Sequence, residues 1–395
     1  MALLPLIPTI QHYAWGGNHF IPKKLGMTDY NPTEPYAELW MGAHPKSPSA
    51  LQTGKSIIPL PEWIDENPKQ ALGVSVLQQF GTKLPFLFKI LDVKEMLSIQ
   101  VHPSKEAAIS GFERENKMGI PLDAPNRNYK DPNHKPELML ALTEFWTLHG
   151  FMTEDKILKS LINTPELTVL ANVFRRDKSI GHLYGYLMRM PQPMVNKMLA
   201  PLEKRLSEAT QIPKENPDYW AKKAFERYTQ AGNYDRGIFS IYLFNLLKLK
   251  RGDVIYQGSG MPHAYLEGVN VELMANSDNV FRGGLTPKHI DIDELLSNMD
   301  FRPTVPHIIA SEKINRNQVV FKTLAPDFEL SEITLSASDV LQVQPGLGPA
   351  IYFVMEGKVS IDEQIFTEGK CFWVDDDTVV KMEGEGKIFR AGMPK

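Results

Sequence analysis

The polar and apolar positions of this chain fall into three regimes. Up to about residue 150, short apolar runs alternate with clusters of Pro, Gly and Asn. LPFLFKILDV, MLSIQVHP and ELMLALTEFW read as strands from their length, their apolar and aromatic content and their turn-rich borders. Ser104 sits as an N-cap before KEAAI and predicts a helix between them. From about 151 to 232 the period becomes helical. Ile157, Leu158, Leu161 and Ile162 share one helical face, as do Leu167, Leu170, Ala171 and Phe174. Trp220, Ala224 and Tyr228 recur every four residues, with Lys222, Lys223, Glu226 and Arg227 on the other side. This block reads as a helical insertion between strand-rich regions.

Strand character returns at FSIYLFNLLKL and in RGDVIYQGSGMPHAYLEGVNVELMA. Beyond about residue 320 the pattern is short strands and turns: IYFVMEGKVSI, IFTEGKCFWV and VVKMEGEGKIFRAG carry the spacing of an antiparallel barrel or sandwich. GDVIYQGSGMPHAY and the tail share a loose turn–strand–turn pattern, which hints at two related jelly-roll units. No His follows His307, so the tail unit is expected to lack a metal.

Composition narrows the function classes. The 395 residues are 43% hydrophobic and 23% charged, as in an ordinary globular protein, and allow two or three domains. A formal net charge of -4 supplies no basic field for nucleic acid, so an anionic partner would need a local Lys/Arg cluster. One cysteine, Cys371, excludes an internal disulfide and a Cys-based zinc site. The apolar start has no cation before Lys23 and two interrupting prolines, unlike a secretory leader. No run is long enough for a bilayer. A cytoplasmic protein is expected.

Candidate chemistry begins at LSIQVHPS. Strand alternation puts Ser98, Gln100 and His102 on one face, with Gln100 and His102 about 7 Å apart. Pro103 then ends the ladder. Taken alone, the pair reads better as a satisfied polar pair on a solvated strand face. In NYKDPNHKPELMLAL, His134, Lys135 and Glu137 surround Pro136, with Lys135 and Glu137 on a common face. A carboxylate entering an apolar strand calls for a partner, whether a lysine at the strand start or a metal. His263 follows Pro262 on a Gly-rich turn, and Glu272 lies inside the apolar run VNVELMA. Asp278, Arg282 and Lys288 follow in a loop rich in Asn and Gly. Gln, two neutral His and one Glu would leave a divalent site with net charge +1, suited to polarising a carbonyl as an enediolate develops. Lys89, a charge inside LPFLFKILDV, could join Ser98, Arg282 and Lys288 around a phosphate, or snorkel to solvent.

These residues resemble type I phosphomannose isomerases. The matching stretches are YAWGG, ELWMGAHPKSPS, LPFLFKILDV, LSIQVHPSK, NYKDPNHKPEL, PHAYLEG and NVFRGGLTPKHID, in the family's order. They span most of the chain outside the helical block and the tail. Gly283 stands where the family form R-A-G-x-T-P-K has Ala. The resemblance implies a mainly β fold with a helical insertion. A cupin-type catalytic domain would be built from 1–150 and 233–319, a helical domain from 151–232, and a second, metal-free jelly roll from 320–395. It implies a zinc-dependent aldose–ketose isomerase interconverting mannose 6-phosphate and fructose 6-phosphate. One zinc per chain would be held by Gln100, His102, Glu137 and His263. Arg282 matches the catalytic arginine, Glu272 a proposed base, and His134, Lys135 and Asp278 line the same pocket. Ser98, Lys89 and Lys288 would take the phosphate.

On this reading a base, Glu272, moves a proton between C2 and C1 through a cis-enediol. His134 or Asp278 assists ring opening, and Arg282 and Lys135 steady the developing charge. The phosphate supplies binding energy remote from the reacting carbons. A metal-dependent cupin oxygenase would leave Lys89, Arg282 and Lys288 without a role. A non-catalytic sugar-binding cupin would make Glu272 and Lys135 structural. The expected partner is a phosphorylated hexose, with no nucleic acid or membrane, and the expected state is a monomer.

Overall fold

The computed structural model describes residues 3–394. Its β structure is antiparallel and divides into a ten-stranded and an eleven-stranded sheet, with a helical block inserted between two strands of the former. In the ten-stranded sheet the order runs Phe244–Leu249, Phe145–Phe151, His263–Ala275, Phe86–Val93, Glu38–Gly42 and Thr9–Gln11. Glu137–Ala141 pairs with both His263–Ala275 and Val254–Gln257, and Gln100–Val101 pairs with His263–Ala275 and Phe281–Arg282. The strand His263–Ala275 is therefore the hub from which most site residues are placed.

Alternation along Phe86–Val93 separates two functions. Phe86, Phe88 and Ile90 enter a core shared with Leu138, Leu140 and Leu273, and with Phe353, Trp373 and Phe389 of the other sheet. Lys89 and Leu91 face the opposite way and line a cleft. The two sheets are thus joined through a continuous apolar layer, which supplies the main driving force for their packing. Trp373 is fully buried in it, with Nε1 donating to Asp375 Oδ1 at 2.7 Å. Trp373→Ala is expected to remove about 3–5 kcal/mol of stability, measured by denaturant unfolding.

The hub strand changes face partway along. Its register against Phe145–Phe151 shifts between Tyr265 and Glu267. One extra residue reverses the side-chain parity, so His263 and Tyr265 before the bulge share a face with Glu272 after it. Gly268 (φ +130°) is required at this bend, because a Cβ there would lie 2.7 Å from the Glu144 carbonyl oxygen.

Three expectations need correction. Leu3–Ile7, Ala50–Thr53 and Ser56–Pro59 lie in the eleven-stranded sheet with the C-terminal strands, Leu3–Ile7 pairing with Cys371–Val374. A division at residue 150 puts them in the other unit, since local pattern carries no record of a pairing partner 365 residues away. Of LSIQVHP only Gln100–Val101 is regular strand. The Leu97 and Ile99 N–H groups donate instead to the Tyr265 and Gly284 carbonyls. In FSIYLFNLLKL the strand is confined to Phe244–Leu249, preceded by a helical turn at Ile238–Ile241. An unbroken buried apolar run has no period to choose between the two.

The helical block follows the expected faces. Ile157, Leu161, Leu167, Leu170, Ala171, Phe174, Trp220 and Ala224 are all buried in one core. Ile162, also assigned to that face, is 42% exposed. None of the described helices is long and apolar enough to cross a membrane.

Candidate active site

A cleft of about 590 Å³ lies over one face of the ten-stranded sheet. Its floor comes from Phe86–Val93, Glu137–Ala141 and His263–Ala275. One wall is the N-terminal loop at Tyr13–Trp15, and another is helical, through Arg227 and Tyr228. The Tyr228 hydroxyl donates to the Met96 carbonyl and ties the helical block to the loop before Ser98. The insertion is thus a wall of the cleft.

His102, Glu137 and His263 are buried, with potential ligand atoms within 4.8 Å of one another. His102 Nδ1 is 2.8 Å from the Asn279 carbonyl, and His263 Nδ1 is 3.0 Å from that of Met261. A carbonyl only accepts, so each Nδ1 carries a proton, and each ring in its neutral form turns its Nε2 lone pair inward. Those Nε2 atoms lie 3.3 and 3.2 Å from the two oxygens of Glu137. Burial lowers the His102 pKa to about 4, so the ring is neutral at ordinary pH. The buried Nε2 of His102 makes no hydrogen bond. Lone pairs from two imidazoles and a carboxylate facing each other at this range repel unless a cation lies among them. The donor set therefore fits a divalent metal. Gln100 lines the same cleft, opposite both His263 and Arg282 in register.

Lys135 Nζ lies 3.0 Å from Glu137 Oε1. Burial raises the Glu137 pKa, but the Lys135 charge outweighs it and holds the carboxyl well below the usual range. Lys89 lies 3.1 Å from Glu272 Oε2 and 3.3 Å from Glu38 Oε2, with the Trp40 ring beside it. Burial opposes its charge, yet the two carboxylates raise its pKa. For Glu272 burial dominates and raises the pKa, while Lys89 pulls it down. Glu272 is thus a desolvated carboxylate in direct contact with one cation, Lys89, while Lys135 also lowers its pKa.

Asp278 lies at the mouth, 2.7 Å from Lys46 Nζ and 3.4 Å from His44 Nε2. Burial raises its pKa, but these partners outweigh it and keep the carboxyl ionised. Arg282 and Lys288 have no carboxylate partner among the described residues. Burial lowers both pKa values, and Arg282 and Lys46 lower that of Lys288 further. Eight Lys/Arg and four Asp/Glu line the cleft, so it attracts an anion although the whole chain is acidic.

The fold brings Ser98, Gln100, Lys135, Glu137, His263, Glu272, Asp278, Arg282 and Lys288 to this one cleft, with His102 buried against its Glu137. His134 is not brought there. Its Nε2 lies 2.7 Å from Asp327, which belongs to the loop before Glu329–Leu335. The reason is alternation: with Lys135 and Glu137 facing inward, His134 faces the other way. Lys89 lines the cleft but is engaged by two carboxylates, not left open for an anion. Glu38, His44, Lys46 and Tyr265 were not singled out from the sequence. Glu38 carried a usable signal, a carboxylate opening the apolar strand ELWMG. The others depended on contacts made only in the fold.

The family model for phosphomannose isomerase type I, catalytic domain, matches residues 3–154. The chain is 36% identical over 396 residues to mannose-6-phosphate isomerase of Escherichia coli (strain K12), covering 98% of each. It is 32% identical to mannose-6-phosphate isomerase 1 of Arabidopsis thaliana, covering 98% of this chain and 92% of that one. A crystal structure of the Salmonella typhimurium mannose 6-phosphate isomerase bound to its substrate, fructose 6-phosphate, and to zinc superposes with a TM-score of 0.89. Identity there is 35%, with all of both chains covered. Identity sustained over the whole length, on the fold and cleft just described, means that the chain belongs to the type I phosphomannose isomerase family.

Proposed function

We propose that this chain is a zinc-dependent aldose–ketose isomerase that interconverts mannose 6-phosphate and fructose 6-phosphate, with the cleft as its active site. The observation that carries this is one cavity holding a ligand-ready His102–Glu137–His263 cluster, a desolvated Glu272 and two uncompensated cations. A family relative is solved with zinc and fructose 6-phosphate bound.

Gln100, His102, Glu137 and His263 would hold the zinc. When bound, it supplies Lewis-acid polarisation of oxygens on the sugar. The protein groups do the rest. Arg282 and Lys288, with the Ser98 hydroxyl, take the phosphate by charge-assisted hydrogen bonds and anchor the sugar remote from C1 and C2. Glu272 takes the proton from one carbon and returns it to the other, passing through a cis-enediol. Its raised pKa makes it a stronger base than an exposed carboxylate, and Lys89 keeps enough of it ionised to act. Lys135 steadies the developing negative charge, and Arg282 adds to this from the phosphate side. Asp278, kept ionised at the mouth, assists ring opening. The bonds of His134 and Lys89 support roles outside the proton transfer and the phosphate pocket respectively.

The free, buried Cys371 is compatible with a cytoplasmic setting. Residues 151–232 pack as a helical insertion on a core shared with Leu148, Ala264 and Phe281 of the ten-stranded sheet, and its last helix walls the site.

The test is turnover of fructose 6-phosphate to mannose 6-phosphate before chelation, after it and with zinc restored. Loss on verified metal removal and recovery with zinc are expected. Turnover under no metal condition would refute the isomerase, and full activity without metal would refute the ligand set.

A further inference from the structure

The segments that carry the site are fastened to one another at a single buried side chain. Asn279 is completely buried and lies three residues before Arg282. Its carbonyl is the acceptor for His102 Nδ1–H at 2.8 Å. Its side-chain NH₂ donates to the carbonyls of Asp131 (2.7 Å) and Asn133 (2.8 Å), and its Oδ1 accepts the Lys130 N–H at 2.7 Å. Both ends of the amide are thus used on the loop that leads into Lys135 and Glu137.

Asp131 completes the fastening from the other side. Its Oδ2 accepts the Asp278 N–H at 2.8 Å, and its Oδ1 accepts from Ser277 Oγ at 2.8 Å and from the Asn133 N–H at 3.0 Å. Ser277 Oγ in turn accepts the Asn279 N–H at 3.2 Å. Residues 130–133 and 277–279 form one hydrogen-bonded block. His102 hangs from it through the Asn279 carbonyl, Lys135 and Glu137 continue from one end, and Asp278 is held by its own N–H.

We propose that Asn279 is a positioning residue for the metal centre and Asp131 one for Asp278, so that this block sets His102 Nε2 against Glu137 and fixes Asp278 at the mouth. The inference rests on the isomerase reading for the role of Asp278, but not for the geometry of His102. The chemistry is specific to an amide at 279. A carboxylate of the same size would set an oxygen, in place of the NH₂ group, against the Asp131 and Asn133 carbonyls, and the segment would move. A shift of the Asn279 carbonyl turns the His102 ring, which nothing else hydrogen-bonded in the fold restrains. Outer partners of ligating histidines typically contribute about 10–100-fold in metal affinity.

The test measures zinc affinity of the full chain directly, by competition with a chromophoric chelator, beside kcat and KM for fructose 6-phosphate. N279D is expected to weaken zinc binding about 10–100-fold and to recover kcat as zinc is raised. D131N, which sets an NH₂ or a neutral oxygen against the Asp278 N–H, is expected to lower kcat with zinc affinity within about threefold of the parent. S277A removes one bond on each side and is expected to weaken zinc binding about fivefold. It decides the matter if N279D does not fold. A folded N279D, or failing that S277A, with unchanged zinc affinity would overturn the proposal. So would N279D and D131N losing kcat in parallel at saturating zinc, which is the mark of general loosening. If the parent binds zinc tightly yet turns over no sugar phosphate, the isomerase reading fails. The role of Asn279 at the metal still stands or falls on the affinities.

Discussion

Replacing Glu272 with Gln is expected to lower kcat by about 10²- to 10⁴-fold, the range contributed by a positioned general base. The substitution keeps the shape of the side chain and an oxygen for Lys89, which also retains Glu38 at 3.3 Å. It removes only the capacity to take up a proton. Zinc content and the KM for fructose 6-phosphate are expected to stay close to the parent, because neither the ligand cluster nor the phosphate cations touch Glu272. The pH profile gives a second readout. Burial places the Glu272 pKa above that of an ordinary carboxylate. The ionised base is therefore lost as pH falls through that raised value, and the acidic limb of kcat lies above the usual Glu range. In E272Q this limb is expected to vanish from the residual activity. A variant with parental kcat and an intact limb would remove Glu272 from the proton path.

Lys89→Met has the second large effect, and it separates two roles for that lysine. The cation bridges two buried carboxylates, Glu38 and Glu272, which are left facing each other when it is removed. Breaking a buried pair at one partner typically costs about 3–5 kcal/mol, measurable by urea unfolding. The catalytic consequence has a definite sign. Lys89 lowers the Glu272 pKa against burial, so without it that pKa rises and the acidic limb of kcat moves to higher pH. The KM for fructose 6-phosphate is expected to change little. A large rise in KM with the limb unmoved would instead restore Lys89 to the phosphate pocket.

Much of the site was legible because its chemistry violated local pattern. Lys89, Glu137 and Glu272 stand as charges inside apolar strands, where each must find a partner. Ser98 and Gln100 announced themselves by alternation, and both reach the cleft although little of their segment is regular strand. The same alternation, applied to Lys135 and Glu137, already pointed His134 the other way. Listing it with the pocket gave sequence proximity more weight than side-chain direction. His44 and Lys46 carried no such signal, since both act on Asp278, which is more than 230 residues away. Asn279 was equally silent: a buried Asn that fastens two loops looks, in sequence, like any loop asparagine.

The sequence by itself determined the strand-rich and helical regimes, the helical faces and the residues able to supply metal and anion chemistry. Period and residue type are local properties, and the motifs identified the family in whose context they act. Only the tertiary structure decided which carboxylate meets which cation, how the bulge after Tyr265 turns Glu272 to the face of His263, and that the first strand completes the C-terminal sheet. Those outcomes depend on register and on contacts between distant segments. The burial that raises the Glu272 pKa and leaves His102 Nε2 without a hydrogen bond exists only once those segments have closed over the cleft.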